Sequence, residues 1–176
     1  MTRLRLAQSA DVPALEALIA RSARGLGAPY YTPAQTEAAI RHVFGVDIQL
    51  IADGTYFLIE EDGEPAACGG WSRRQSLYGT DRNRVGPEPL LDPATDPARI
   101  RAFFVDPSMA RRGLGRTLLG ECVRAAREAG FQAIELASTL PGVPLYSACG
   151  FTVIERFDLD LPGGVRLPLE RMRLSL

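Results

Sequence analysis

The sequence contains no lysine, and all 20 of its basic residues are arginine. A Walker-type phosphate loop requires a lysine after its second glycine, so that class of nucleotide-binding site is excluded. The only histidine, His42, and the three cysteines, Cys68, Cys122 and Cys149, lack the spacing of metal ligands. We therefore expect no bound metal, and we expect the cysteines to be reduced residues of the core.

Long apolar runs are also missing. No run approaches the roughly 20 residues that a membrane-spanning helix needs, and the segment Met1 to Leu6 alternates polar and apolar residues instead of resembling a signal peptide. The formal net charge of −1 does not favour the recruitment of nucleic acid. We expect a single cytoplasmic domain over residues 1–176, with neither a membrane nor a nucleic-acid partner.

Strand-like and helix-like periods alternate along the chain, which is typical of an α/β or α+β domain with helices packed on a sheet. Helices are predicted at about 12–24, 34–44, 113–129 and 144–149, and strands at about 4–6, 56–60, 65–71, 100–105, 131–138, 151–161 and 165–174. The segment 75–96 has little periodicity and is a candidate substrate lid.

The most informative segment runs from Val105 to Arg116, where an apolar run stops at Pro107 and a helix begins after two glycines. Gly113 and Gly115 let a ligand approach the main chain closely, and the first N–H groups of a helix have no internal partner. The helix dipole and the arginines favour an anion such as a pyrophosphate. A dinucleotide motif is excluded because Leu118 stands where its third glycine belongs.

Residues of about 99–157 resemble the acetyl-CoA-binding core of the GCN5-related N-acetyltransferase (GNAT) superfamily. The family's pyrophosphate loop, written Gln or Arg, two variable residues, Gly, one variable residue, then Gly or Ala, is matched by 110–115, except that Ala110 replaces the polar first residue. The family's later LY...GF signature is matched by Leu145, Tyr146, Gly150 and Phe151.

The resemblance implies a mixed, mostly antiparallel twisted sheet flanked by helices, with a splayed central strand pair that takes acetyl-CoA as co-substrate. The residues implied in donor binding are Phe103, Phe104 and Val105 for the pantetheine arm, and Arg111, Arg112, Gly113, Leu114, Gly115 and Arg116 for the pyrophosphate. Tyr146 matches a tyrosine that lies beside the CoA sulfur in many relatives and would act as general acid. Its alternative role is packing in the core.

The general base and the acceptor are less well defined by the sequence. Some relatives place a glutamate where this chain has Arg99. Either the amine loses its proton through water to a residue elsewhere, with Glu60, Glu135 and His42 as the candidates, or it arrives unprotonated. The candidates for acceptor binding are Trp71, Arg73, Arg99, Arg101 and Tyr31. The alternative roles are packing in the sheet for Trp71, packing of a surface loop for Tyr31, and a solvated or salt-bridged position for Arg99 and Arg101.

These features favour an N-acetyltransferase that moves an acetyl group from acetyl-CoA to a primary amine of a small molecule or peptide, by direct attack in a ternary complex. A non-catalytic acyl-CoA-binding module is the alternative. Homodimerisation is common in the family and stays open here, as does the identity of the acceptor.

Overall fold

Seven strands form one sheet in the computed structural model, which describes residues 1–79 and 84–176. The strands are β1 (Thr2–Leu6), β2 (Tyr56–Glu61), β3 (Glu64–Ser72), β4 (Ala98–Val105), β5 (Ala133–Thr139), β6 (Thr152–Leu161) and β7 (Val165–Ser175). Their order is β1-β2-β3-β4-β5-β7-β6, and every neighbouring pair is antiparallel except β4 and β5. The predicted mixed α/β architecture with a mostly antiparallel sheet is confirmed.

Helices cover both faces of this sheet. They are α1 (Val12–Gly27), α2 (Pro33–His42), α3 (Ile48–Ala52), α4 (Leu114–Glu128) and α5 (Val143–Ala148). On one face, Leu118, Leu119 and Cys122 of α4 pack in one hydrophobic core with the strands. On the other face, Leu15 and Leu18 of α1 pack in a second core.

The helix ends follow from local capping chemistry. The Thr32 side chain accepts a hydrogen bond from the backbone of Gln35, and Pro33 occupies the first turn, as the sequence predicts for the start of α2. Gly130 has a φ of +93° and follows the end of α4. Helix α1 runs three residues past its predicted end at Arg24, and α3 was not predicted.

The central strand β4 carries a bulge. The register with β3 shifts between Cys68 and Gly70, and Ala102 has a φ of +51°. The hydroxyl of Tyr56, which is fully buried, donates a hydrogen bond to the Ala102 carbonyl at 2.8 Å. A Cβ on Gly69 would lie 2.3 Å from the Phe103 ring, so the bulge requires glycine there.

Strands β4 and β5 separate soon after they meet. Their parallel pairing is limited to Ala98 with Ile134 and Arg99 with Glu135, although β4 continues to Val105 and β5 to Thr139. The edges of both strands beyond Arg99 and Glu135 therefore border a gap in the centre of the sheet. This is the splayed strand pair that the family resemblance implies.

Within 1–79 and 84–176, no helix has the length and apolarity needed to cross a membrane.

Candidate active site

A cavity of about 700 Å³ opens where β4 and β5 separate. Phe103, Phe104 and Val105 of β4 line it, as do residues of β5, α1, α2, α5 and the first turn of α4. A concave site at a break in a sheet, with both polar and apolar walls, is typical of a ligand-binding pocket.

The loop before α4 contributes a set of unpaired backbone donors to this cavity. Arg111 and Gly113 have φ angles of +66° and +85°, which turn the chain sharply into the helix. Within the described chain, none of the six backbone N–H groups from Arg111 to Arg116 donates to a protein acceptor. Such a turn at a helix N-terminus is suited to an anion.

The arginines of the loop do not all face the cavity. Arg111 and Arg116 line it, together with Gly113, Leu114 and Gly115. The Arg112 guanidinium instead donates to Met109 Sδ at 2.6 Å and lies 3.8 Å from Glu61. Only the backbone of Arg112 is therefore placed to serve as a donor in the loop.

Asp106 fixes the start of the loop. Its carboxylate accepts hydrogen bonds from the backbone N–H and the hydroxyl of Ser108, at 2.9 and 2.7 Å, and pairs with Arg21 of α1 at 3.0 Å. A Cβ on Gly25 would lie 2.4 Å from Pro107 Cγ, so α1 packs directly on the turn. These contacts tie the position of the donor loop to α1.

Tyr146 of α5 lies beside the gap with its ring enclosed by aromatic neighbours. The ring centroid is 5.9 Å from that of Phe103 and 5.6 Å from that of Phe151, both edge-on. Its hydroxyl forms no hydrogen bond with any residue in the described chain, and the side chain lines the cavity. Burial raises the pKa of the Tyr146 phenol, so the group keeps its proton well above neutral pH.

Tyr31 also lines the cavity, but its hydroxyl is already paired twice. It donates to the Pro168 carbonyl at 2.7 Å and accepts from the Leu140 N–H at 2.9 Å. Burial raises the pKa of Tyr31 to about 12. Its ring faces the cavity while its hydroxyl holds the start of α2 against β7 and the end of β5.

Arg101 reaches the cavity from a buried network of charges. Its guanidinium lies 3.5 Å from Asp47 and 3.3 Å from Glu88, and it donates to the Ser72 hydroxyl at 2.5 Å. Arg84 joins the network through Asp47 at 2.9 Å. The sequence did not reveal Asp47 and Glu88 as partners, because they lie far from Arg101 along the chain and no local pattern marks such ion pairs.

Three predicted acceptor residues lie away from the cavity. Trp71 is 3% exposed and packs edge-on against Phe131 at 6.0 Å, and the Arg73 guanidinium lies 5.2 Å over the Trp71 ring. Arg99 pairs with buried Glu135 at 3.2 Å. The structure thus gives Trp71 a core-packing role and Arg99 a salt-bridge role, because strand alternation and the loop over Arg99 bury both residues, whereas Arg73 is exposed and covers the Trp71 ring.

None of the candidates for a general base lines the cavity. Glu60 pairs with Arg5, Glu135 pairs with arginines, and His42 lies on α2 outside the lining. Among the lining residues in the described chain there is no aspartate, glutamate or histidine. The ionisable residues that do line it are Tyr30, Tyr31, Tyr78, Tyr146, Arg101, Arg111 and Arg116.

The segment 75–96, predicted as a lid, is only partly described. Leu77, Tyr78 and Gly79 line the cavity, and the Tyr78 ring stacks on Phe157 of β6 with centroids 6.1 Å apart. Residues 80–83 lie outside the described chain. The later part of the segment contributes Arg84 and Glu88 to the charge network.

Comparison with known proteins identifies the family and the fold. The model of the acetyltransferase (GNAT) family matches residues 19–151. The chain belongs to the GNAT family. No protein of curated function matches the sequence significantly.

Solved structures of GNAT proteins superpose over nearly the whole chain. A GCN5-related N-acetyltransferase from Rhodopseudomonas palustris has a TM-score of 0.73 at 20% identity, covering 100% of this chain and 96% of that one. The PaiA N-acetyltransferase of Thermoplasma acidophilum, in complex with coenzyme A, has a TM-score of 0.67 at 14% identity, covering 100% and 99%. The yncA acetyltransferase of Salmonella typhimurium, with its cofactor acetyl-CoA, has a TM-score of 0.64 at 19% identity, covering 100% and 94%.

These likenesses confirm the GNAT fold and, with the family match, support acetyl transfer as the activity. Two of the superposed proteins hold coenzyme A or acetyl-CoA.

Proposed function

We propose that this GNAT protein is an N-acetyltransferase that moves the acetyl group of acetyl-CoA to a primary amine by direct attack in a ternary complex. The observation that carries the proposal is a single cavity bordered by the open edge of β4, the unpaired N–H groups of Arg111 to Arg116, and the unbonded hydroxyl of Tyr146. Each of these features supplies one requirement of acyl transfer from a thioester.

The open edge of β4 suits the pantetheine arm. Along a strand, backbone groups point alternately to the two sides, so part of the 103–105 backbone is directed away from β3 and into the gap. Amide groups of pantetheine can pair there as a further strand would. The N–H groups from Arg111 to Arg116, with the Arg111 and Arg116 side chains, suit the pyrophosphate.

The chemistry needs an oxyanion donor and a proton for the sulfur. The amine nitrogen attacks the thioester carbonyl carbon, the C–N bond forms and the C–S bond breaks, while a backbone N–H near Phe104 or Val105 stabilises the oxygen. Tyr146 donates its proton to the departing sulfur and regains one from water. The attacking nitrogen loses one proton to water once the C–N bond has formed. The burial that raises the pKa of Tyr146 also disfavours a free thiolate, so the proton moves as the bond breaks.

Direct attack is favoured over an acyl-enzyme by the placement of the cysteines. Cys68 and Cys122 are fully buried, and burial raises the pKa of the Cys68 thiol to about 12. In the described chain, no cysteine lines the cavity. A reactive thiol needs access and a lowered pKa, and Cys68 and Cys122 have neither.

Related expectations belong to the same proposal. The single seven-stranded sheet supports one acetyltransferase domain over residues 1–176 with its acetyl-CoA core at about 99–157, and we propose a cytoplasmic location. A homodimer stays a prediction.

The test is thiol release from acetyl-CoA measured over a panel of amines, alongside thermal stability with CoA and with ATP. We expect CoA but not ATP to raise the melting temperature, because binding to the native state alone stabilises it. We also expect amine-dependent thiol release. Stabilisation by CoA without release by any amine would establish the acyl-CoA-binding module instead, and no stabilisation by CoA would contradict both.

A further inference from the structure

The two faces of the sheet divide the cavity into a donor side and an acceptor side. Tyr146 and the first turn of α4 belong to the α4 face, where Phe103 and Val105 also pack. The remaining wall comes from α1, α2 and the segment before residue 80, on the opposite face. We call this wall the acceptor side, and its larger side chains are Leu26, Tyr30, Val43, Phe44, Leu77 and Tyr78.

Among the described residues, the acceptor side is mostly apolar and aromatic, with the hydroxyl groups of Ser22 and Thr36 beside them, and Arg101 is its one charged lining residue. Arg101 lies on this face, and its guanidinium is compensated by Asp47, which is fully buried, and by Glu88. With Arg84, the network contains two arginines and two carboxylates, so its formal charges cancel. Neither carboxylate lines the cavity, so neither can pair with a cation bound there.

A second ammonium group held against this wall would therefore lose part of its hydration without gaining a carboxylate partner among the described residues. Such a charge costs several kcal/mol in a protein interior unless it is paired. Hydrophobic and aromatic side chains, by contrast, offer contact area to an apolar or flat body.

The ionisable groups that face the cavity also determine which form of the amine reacts. In the described chain they are tyrosines and arginines, whose ordinary pKa values are about 10 or higher, and burial raises those of Tyr31 and Tyr146 further. No such group accepts a proton near neutral pH. The reacting amine must therefore arrive as the free base.

We infer that the acceptor is a primary monoamine with an aromatic or apolar body and no second charged group, acetylated from its free-base form. This inference rests on the proposed function and narrows its substrate class. It makes polyamines and other polycationic amines poor acceptors.

The test compares three amines that share one ring: benzylamine, 4-(aminomethyl)benzylamine with a second ammonium, and 4-(aminomethyl)benzoate with a carboxylate. We expect kcat/KM for benzylamine to exceed that for the diamine by about 10-fold or more, because the second ammonium loses part of its hydration without a carboxylate partner. The benzoate should also be poor, because the Arg101 charge is balanced by Asp47 and Glu88 and its unpaired Nε is itself buried. A preference for the diamine or the benzoate would overturn the inference and leave the proposed function standing.

A pair of variants tests the electrostatic cause. Tyr30 lines the cavity and is 48% exposed, so it tolerates substitution. Tyr30→Asp should raise the diamine-to-benzylamine ratio of kcat/KM about 10-fold over the matched Tyr30→Asn, because it supplies the missing negative charge. Equal ratios in the two variants would contradict this account.

The pH profile tests the free-base requirement. For benzylamine, kcat/KM should rise about tenfold per pH unit up to the pKa of the amine, without a break from an enzyme group near neutral pH.

A variant of Asp81 completes the test, because this carboxylate lies outside the described residues. Asp81→Asn should change kcat/KM less than about threefold if Asp81 is not a general base. A break near neutral pH, or a loss of more than about threefold in Asp81→Asn, would overturn the inference. Thiol release by no amine at all would overturn both the inference and the proposed function.

Discussion

Two tyrosines of the cavity show how surroundings assign different roles to one residue type. The Tyr31 hydroxyl is bonded to the Pro168 carbonyl and the Leu140 N–H, whereas the Tyr146 hydroxyl has no protein partner in the described chain. A hydroxyl without a protein partner is available to a substrate. A hydroxyl with two backbone partners contributes to stability instead.

Replacing Tyr146 by phenylalanine should lower kcat by roughly 10- to 1000-fold with little change in acetyl-CoA affinity, because it removes the proton donor and keeps the ring. Steady-state thiol release and CoA titration measure the two quantities. The matched control is Tyr31→Phe, which should lower the free energy of unfolding by about 1–3 kcal/mol by leaving two backbone groups unpaired. An unchanged kcat in Tyr146→Phe would remove Tyr146 from the mechanism.

Arg101 shows the same dependence on surroundings. Its side chain is fully buried between Asp47 and Glu88, whereas Arg156 is an exposed arginine that pairs with Glu170 at 3.0 Å. Removing a buried partner leaves charges unpaired, so Arg101→Gln should destabilise the protein by about 3–5 kcal/mol. Chemical denaturation measures this loss. Arg156→Gln is the control and should cost less than about 1 kcal/mol, so similar losses in both variants would contradict the arrangement.

At the scale of elements, the turn into α4 directs two arginine side chains differently, although both were predicted to bind the pyrophosphate. Arg116 lines the cavity, while the Arg112 guanidinium contacts Met109 and Glu61. Arg116→Gln should therefore raise the Kd for CoA roughly 10-fold through loss of a charge-assisted contact, and Arg112→Gln should change it less than about twofold. Calorimetric titration at fixed salt tests this, and equal effects would mean that both side chains reach the ligand.

Elements with strong local signals were predictable, and weakly marked ones were not. The Thr32 cap and Pro33 predict the start of α2, and the two glycines predict the start of α4. Both are recognisable because capping depends on residues within one helical turn. Helix α3 spans only Ile48–Ala52, too short for a period, and its Asp47 gives no side-chain cap because the carboxylate serves Arg84 and Arg101.

The residues of the candidate site also differ in how far the sequence predicts them. The donor loop and Tyr146 lie in motifs that are continuous in sequence, and the structure brings both to one cavity. The acceptor wall is assembled from α1, α2 and the segment before residue 80, which are distant along the chain. Trp71 and Arg99, which were predicted to contact the acceptor, do not line this wall. Whether a strand residue is buried depends on which loop covers the strand, and no short sequence pattern shows this.

Across the whole molecule, arginine–carboxylate pairs and buried hydroxyl and thiol groups determine how stability varies with pH. Hydrogen bonds from Arg5 lower the pKa of Asp11, and those from Arg74 lower the pKa of Asp53, below the ordinary value of 3.8. Burial raises the pKa of Cys68 from 9.0 to about 12 and that of Tyr31 from 10.0 to about 12. The two sets act at opposite ends of the pH scale.

The free energy of unfolding should therefore be highest between about pH 5 and pH 9. A lowered folded-state pKa gives stability above the unfolded value, so the contribution of Asp11 and Asp53 is lost as pH falls from about 4 through their folded pKa values. A raised folded-state pKa gives stability below the unfolded value, so the contribution of Cys68 and Tyr31 is lost as pH rises from about 9 through about 12.

Urea denaturation at each pH measures the free energy of unfolding on the acid limb, where pH falls below about 4, and on the alkaline limb, where pH rises above about 9. Asp11→Asn should flatten the acid limb and leave the alkaline limb unchanged, because only the first depends on the Arg5 pair. An acid limb that keeps its slope in this variant, or a free energy of unfolding that stays constant from pH 9 to pH 12, would contradict the assignment.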